Sequence, residues 1–168
     1  MTSRTTHLAV LEGRDVIYVD KLESHDRIRM YSRIGLRAPL HSSAVAKVLL
    51  ADLPDAQVGD LVSDLEFTQA TPNTITDAVT LLAELAVVRA QGWACDREEN
   101  EPSINALAAP IRGASGRVIA AMSVSVPDVV LTYDQLLEIL PSLLATAALI
   151  SQDCGWQPDA TSSKDVSA

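Results

Sequence analysis

Two short runs of alternating character open the chain. His7 to Leu11 and Val16 to Leu22 are rich in Val, Ile, Leu and Tyr, and Glu12-Gly13-Arg14-Asp15 separates them, which predicts a hairpin with glycine in its turn. Arg27 to Ile34 alternates Ile28, Met30 and Tyr31 with charged neighbours and predicts a third strand, ended by Gly35. Helical spacing follows. Ser42 or Ser43 can cap a helix over Ala44 to Ala51, striped by Val45, Val48 and Leu49, and Pro54 can open a second one to Ser63. Glu66 to Thr74 reads as an ordered loop. The clearest helix starts at Thr74 or Thr76 and runs to Gln91, with Ala78, Leu81, Leu82, Leu85, Ala86 and Val88 at three-and-four spacing and Gly92 as its stop.

Trp93 to Asp96 predicts a short strand. Ile104 to Ile111 and Arg117 to Val126 predict two longer ones, joined by the turn Arg112-Gly113-Ala114-Ser115-Gly116. Thr132 and Gln135 form a capping-box pattern before a helix over Leu136 to Ile150, with a kink or restart expected at Pro141 and a stop at Gly155. Hairpins at both ends of the order ββ(β)–αα–α–ββ(β)–α mean antiparallel pairing with helices covering a sheet face, an α+β domain. The expected layout is a head or linker over 1–6, one domain over 7–156 and a flexible tail over 157–168.

Composition narrows the function classes. A chain of 168 residues is the size of one domain and should bury roughly 70% of its unfolded surface. Thirteen Lys and Arg against twenty-two Asp and Glu leave a net charge of −9, which argues against charge-driven binding to nucleic acid or an anionic membrane. Cys95 and Cys154 are too few for a disulfide framework and fit a reducing compartment. The apolar stretches are cut by Glu84, Glu138 and Pro141, so none is expected to reach the ~20 residues of a membrane span. The expectation is a cytoplasmic protein with no membrane partner.

Three segments are candidates for chemistry. In Arg117 to Val126 the period of two puts Val118, Ala120, Met122, Val124 and Val126 on one face, for helices to cover, and Ile119, Ala121, Ser123 and Ser125 on the other. The two hydroxyls then share one space beside small Ala121, although serines on such a face ordinarily meet water. At His41-Ser42-Ser43-Ala44-Val45 a helix start offers free N–H groups and partial positive charge to an anion, although an ordinary cap explains the same residues. Asp96 ends an apolar run, whereas Glu98, Glu99 and Glu101 read as a solvated loop. No nucleophile elbow and no phosphate-cradling glycine loop is present. His7, His25 and His41 lack ligand spacing and read as surface or capping residues, so neither metal nor cofactor is expected.

In order, Gly35 to Ala51, Thr71 to Thr76, Gln91 to Glu99, Ala108 to Ile111 and Ala120 to Pro127 resemble the effector-binding domain of the IclR family of bacterial transcription regulators. The resemblance spans about His7 to Trp156. It implies a GAF-like fold, a curved antiparallel sheet flanked by helices, that binds a small keto, hydroxy or aromatic acid. The family's ligand sits against the helix start, the acid after the middle strand and two serines of the late strand, which are here Ala44 and Val45, Asp96, and Ser123 and Ser125. The chain departs from the family in having Ala44 and Ala46 where glycines are common. It also has Ser103 and Ala106 where glycine and a short polar or Cys residue often follow the acids; Ala106 is counted with the effector-binding set.

The resemblance further implies homodimers or homotetramers, for which the first hairpin offers edge strands. DNA contact is expected only through a helix-turn-helix, for which this chain has no room. The leading expectation is a ligand sensor with no catalytic residues. The alternative is a small enzyme, or a stand-alone binding protein, that uses Asp96 and Ser123 on a related carboxylate.

Overall fold

The computed structural model describes residues 4–24 and 30–158. Strands β1 (Thr5–Glu12) and β2 (Asp15–Leu22) form the expected hairpin, and Gly13 supplies the positive φ of its turn. β1 begins at Thr5 and pairs Thr5 and Thr6 with Ser125 and Val124, so the domain takes in two residues assigned above to the head. The expected tail lies outside the described residues from 159 onward.

The third strand is not where alternation put it. Met30 to Ile34 is irregular, and residues 25–29 lie outside the described residues. The carbonyls of Met30 and Ser32 accept from the Lys21 ammonium instead of a neighbouring strand. Strand β3 is the two-residue Arg37–Ala38, paired with Val16 and Ile17.

Helices α1 (Ala44–Ala51), α2 (Asp55–Ser63) and α3 (Ala78–Gln91) follow. α3 begins later than expected because Asp77 caps it, accepting from the Thr80 N–H at 2.8 Å, while Thr74 is drawn off to the Glu99 carbonyl. Gly92 closes it in the left-handed conformation, φ 81°. Leu81, Leu85 and Val88 of its stripe are buried; Leu82 and Ala86 are exposed.

The second half adds β4 (Ala94–Arg97), β5 (Ile104–Arg112), β6 (Val118–Pro127), α4 (Tyr133–Leu137) and α5 (Leu140–Asp153). The Thr132–Gln135 capping box is formed, and the chain breaks after α4 and restarts with Pro141 in the first turn of α5, where its missing N–H costs nothing. Tyr133–Asp153 is 21 residues with mean hydropathy 1.3, long and apolar enough by length and composition to cross a membrane, contrary to expectation. Here it is a broken pair of helices whose Leu136, Leu143 and Ala147 are buried against the sheet.

All strands join one antiparallel sheet in the order β3-β2-β1-β6-β5-β4. β1 is therefore interior, β2 is partly covered by β3, and the true edges are the short β3 and β4, so the first hairpin is not the open edge expected for self-pairing. Two cores lie on opposite faces. α1, α2 and α3 pack with Ala9, Val16, Ala94, Ala106, Ala108 and Ala121. α4 and α5 pack on Leu107, Ala109, Ile111, Ala120, Val124 and Val126. Helices thus cover the Met122–Val124–Val126 face as expected, and also the serine face. Val118 departs from its row and joins the α1 side, because an irregularity at Ile111/Arg112 shifts the register there.

Candidate ligand-binding site

Strand register builds the floor. Asp96 on β4 lies opposite Ala106 on β5, Ala106 opposite Ser125 on β6, and Ser125 opposite Thr5 on β1. Two residues along, Ala94, Ala108, Ser123 and His7 form the next row, which ends at Lys21 on β2. Alternation sends all of these to the face under α1. The alanines are small enough to leave room, so a small cavity of ≈ 40 Å³, partly open to solvent, remains between the floor and the start of α1. Ser123 and Ser125 are buried, not solvent-facing.

The start of α1 forms the roof. Ser43 occupies the cap position, but its hydroxyl donates back to the Pro39 carbonyl at 2.8 Å and caps nothing. The first-turn N–H groups, which no helix satisfies internally, therefore keep no side-chain acceptor where Ala44 and Val45 line the cavity. Together with the helix dipole they favour an anion.

Asp96 is the wall. It is 5% exposed, and its Oδ1 accepts from the N–H groups of Glu99 (2.8 Å) and Asn100 (3.2 Å). Burial, with Glu99 nearby, pushes its pKa up to about 7 despite those two bonds. All six expected residues, Ala44, Val45, Asp96, Ala106, Ser123 and Ser125, thus border one cavity.

Other residues there went unread in the sequence. His7, expected at the surface, is 3% exposed and lines the cavity with Tyr18, Met30, Ser32, Asn100 and Ile104. Burial, then the charge of Lys21, pulls the His7 pKa to about 4, so the ring is neutral at pH 7. Burial and Asp96 push the Tyr18 phenol up to about 12, which keeps it protonated. Only the strand alternation of β1, with His7 in step with Ala9, carried a signal for this.

Lys47 and Glu99 were also missed. Lys47, one turn into α1, is fully buried, with its ammonium 2.7 and 2.6 Å from the two Glu99 oxygens, 3.2 Å from Glu84 and 3.0 Å from the Cys95 carbonyl. Burial opposes its charge, but the two glutamates outweigh that and raise its pKa. The expected solvated loop is in fact anchored: Glu99 is buried, and Thr71 and Thr74 donate to the Glu98 and Glu99 carbonyls at 2.6 Å each. With Lys47 engaged this way, no Lys or Arg borders the cavity among the described residues. Those residues contain no cluster of three or more metal-ligating side chains.

A serine pair and a buried acid thus face an uncapped helix start across one cavity. The family model for the C-terminal domain of bacterial transcriptional regulator IclR matches residues 1–152. The chain belongs to the IclR family. It is 38% identical over 156 residues to the HTH-type transcriptional regulator KdgR of Dickeya chrysanthemi, covering 93% of this chain and 51% of that protein. The crystal structure of the C-terminal domain of E. coli KdgR superposes with a TM-score of 0.82 at 34% identity, covering 92% of this chain and 90% of that one. The inducer-binding domain of Acinetobacter PobR, a double mutant in complex with 3-hydroxybenzoic acid, superposes with a TM-score of 0.82 at 30% identity, covering 89% of each. This IclR-type chain therefore corresponds to the ligand-binding C-terminal domain and spans about half the length of the curated KdgR relative.

Proposed function

We propose that the chain senses a small organic acid at the cavity between α1 and the β4–β5–β6–β1 floor, and that it does so without catalysis. The observation that carries this reading is the uncapped start of α1 above two buried serines, a place for a carboxylate supplied entirely by neutral donors. Asp96 would repel a carboxylate set directly against it, so the acid group belongs at the Ala44–Val45 end. Asp96 then meets a hydroxyl or hydrate at the ligand's other end. Among keto, hydroxy and aromatic acids the polar lining favours those with hydroxyl groups. PobR, whose inducer-binding domain holds 3-hydroxybenzoic acid, supports the general class.

For a ligand of about six non-hydrogen atoms, about 1.5 kcal/mol per atom bounds affinity near 9 kcal/mol, or roughly micromolar binding. The sensing chain is proposed to work in the cytoplasm as a homodimer or homotetramer, with DNA contact left to a helix-turn-helix outside it. Calorimetry with lactate, pyruvate, gluconate and 3-hydroxybenzoate, followed by NMR of each acid after incubation, tests the proposal. Saturable binding, weakened about tenfold by Asp96→Asn for a hydroxylated acid and less for its deoxy analogue, with the acid recovered intact, is expected. Consumption of any acid turns the reading into the enzyme alternative.

A further inference from the structure

We infer that His7 is a positioning residue for the ligand: a chain running Ser32–His7–Ser123 sets the Ser123 hydroxyl to donate into the cavity. The inference rests on the ligand reading above and goes beyond it by fixing which way one of its hydroxyls points.

The geometry is that of a relay. His7 Nε2 lies 2.6 Å from Ser32 Oγ, and Nδ1 lies 3.4 Å from Ser123 Oγ, its neighbour across the β1–β6 pair. The ring is held at 5.0 Å from Tyr18, and the Ser32 backbone is pinned by Lys21 Nζ at 2.6 Å from its carbonyl. A neutral imidazole has one donor and one acceptor nitrogen, and burial keeps His7 neutral at pH 7.

Two arrangements follow. If Ser32 donates to Nε2, then Nδ1–H donates to Ser123, whose own proton is released to the cavity. If Nε2–H donates to Ser32, Ser123 spends its proton on Nδ1 and shows the cavity a lone pair. A carboxylate accepts and never donates, so binding it selects the first arrangement. Because no Lys or Arg borders the cavity among the described residues, an anion there depends on neutral donors, of which the Ser123 hydroxyl is one.

The test combines variants with a spectroscopic readout. Asn places an amide near the Nδ1 position and Gln near the Nε2 position, so His7→Asn should bind the tightest acid of the four-acid panel within about threefold of wild type. His7→Gln and His7→Phe should each weaken it about tenfold, the worth of one hydrogen bond to a charged group. The 15N spectrum of His7 in the wild-type complex should show the proton on Nδ1; this holds the proposal open to failure even where a variant does not fold. A proton on Nε2 in the complex, or equal affinity for the Asn, Gln and Phe variants, overturns the inference. Asp96→Asn and Ser125→Ala separate it from the parent reading. If they weaken binding while the His7 series does not, only the relay fails; if neither matters, or no acid binds, the site itself is wrong and the relay with it.

Discussion

The two faces of β6 are made by the same ten residues and do opposite things. Met122, Val124 and Val126 point at α4 and α5, where Leu107, Ile111, Leu136 and Leu143 fill the space between sheet and helices. Ser123 and Ser125 point at α1, where Ala94, Ala106, Ala108 and Ala121 let one helix approach closely and leave a polar cavity at its start. One face is held mainly by apolar burial, with the buried Ser151 hydroxyl of α5 accepting from the Arg112 N–H of β5 at 2.9 Å. The other gives up burial at the cavity and is braced by Lys47 with Glu99 and Glu84, and by Thr71 and Thr74 on the following loop. The difference teaches that a binding site on a sheet is made by choosing small and hydroxylated residues at alternate positions, then replacing the lost packing with polar ties.

Breaking each support separately tests that division, and the largest effect belongs to the polar tie. Lys47→Met leaves Glu99 buried without its cation, which should cost about 3–5 kcal/mol of stability, read by urea denaturation. On the other face Leu107→Ala empties a fully buried site and should cost about 2–5 kcal/mol. Its effect on acid affinity should stay within about twofold, since Leu107 points away from the cavity. If Leu107→Ala weakened binding as much as Lys47→Met does, the faces would not be separable. Ser123→Ala and Ser125→Ala invert the pattern: each should cost about 1–2 kcal/mol of acid binding while changing the melting temperature by only a few degrees.

Local rules carried much of this into the sequence. The capping box at Thr132, the αL stop at Gly92, the restart at Pro141 and the period of β6 depend on residues within a few positions of one another. Alternation was legible until the irregularity beside Val118 reversed it. What stayed hidden depends on distant partners. Lys47 and Glu99 are 52 residues apart, and each alone looks like a solvated charge. His7 looked like an isolated histidine because Ser123 and Ser32 meet it only through sheet pairing and a loop. The half-chain that the curated KdgR relative has beyond this match lies outside any such reading.

The smallest expected effect is a cancellation, and it also separates the faces. Asp96 has a folded pKa of about 7, raised by burial, against an ordinary value near 3.9. Between those values the folded chain binds more protons than the unfolded one, so this group lowers stability as pH rises from 4 to 7. His7 has a folded pKa of about 4, lowered by burial and Lys21, against about 6.5 unfolded. Over pH 4 to 6.5 the unfolded chain binds the extra proton, so this group raises stability as pH rises. Each slope approaches about 1.4 kcal/mol per pH unit, with opposite signs over nearly the same window. The two contributions should therefore largely cancel from pH 4.5 to 6, leaving wild type only the fall with rising pH that the buried Glu99 carboxyl, also raised by burial, adds. Asp96→Asn should expose the rising His7 limb, and His7→Phe the falling Asp96 limb, in urea denaturation across that range. Among the described residues the core on the α5 face contains no carboxylate or imidazole, so Leu107→Ala should lower the whole curve without tilting it. A tilt in wild type matching either single variant would show that only one of the two groups is perturbed as described.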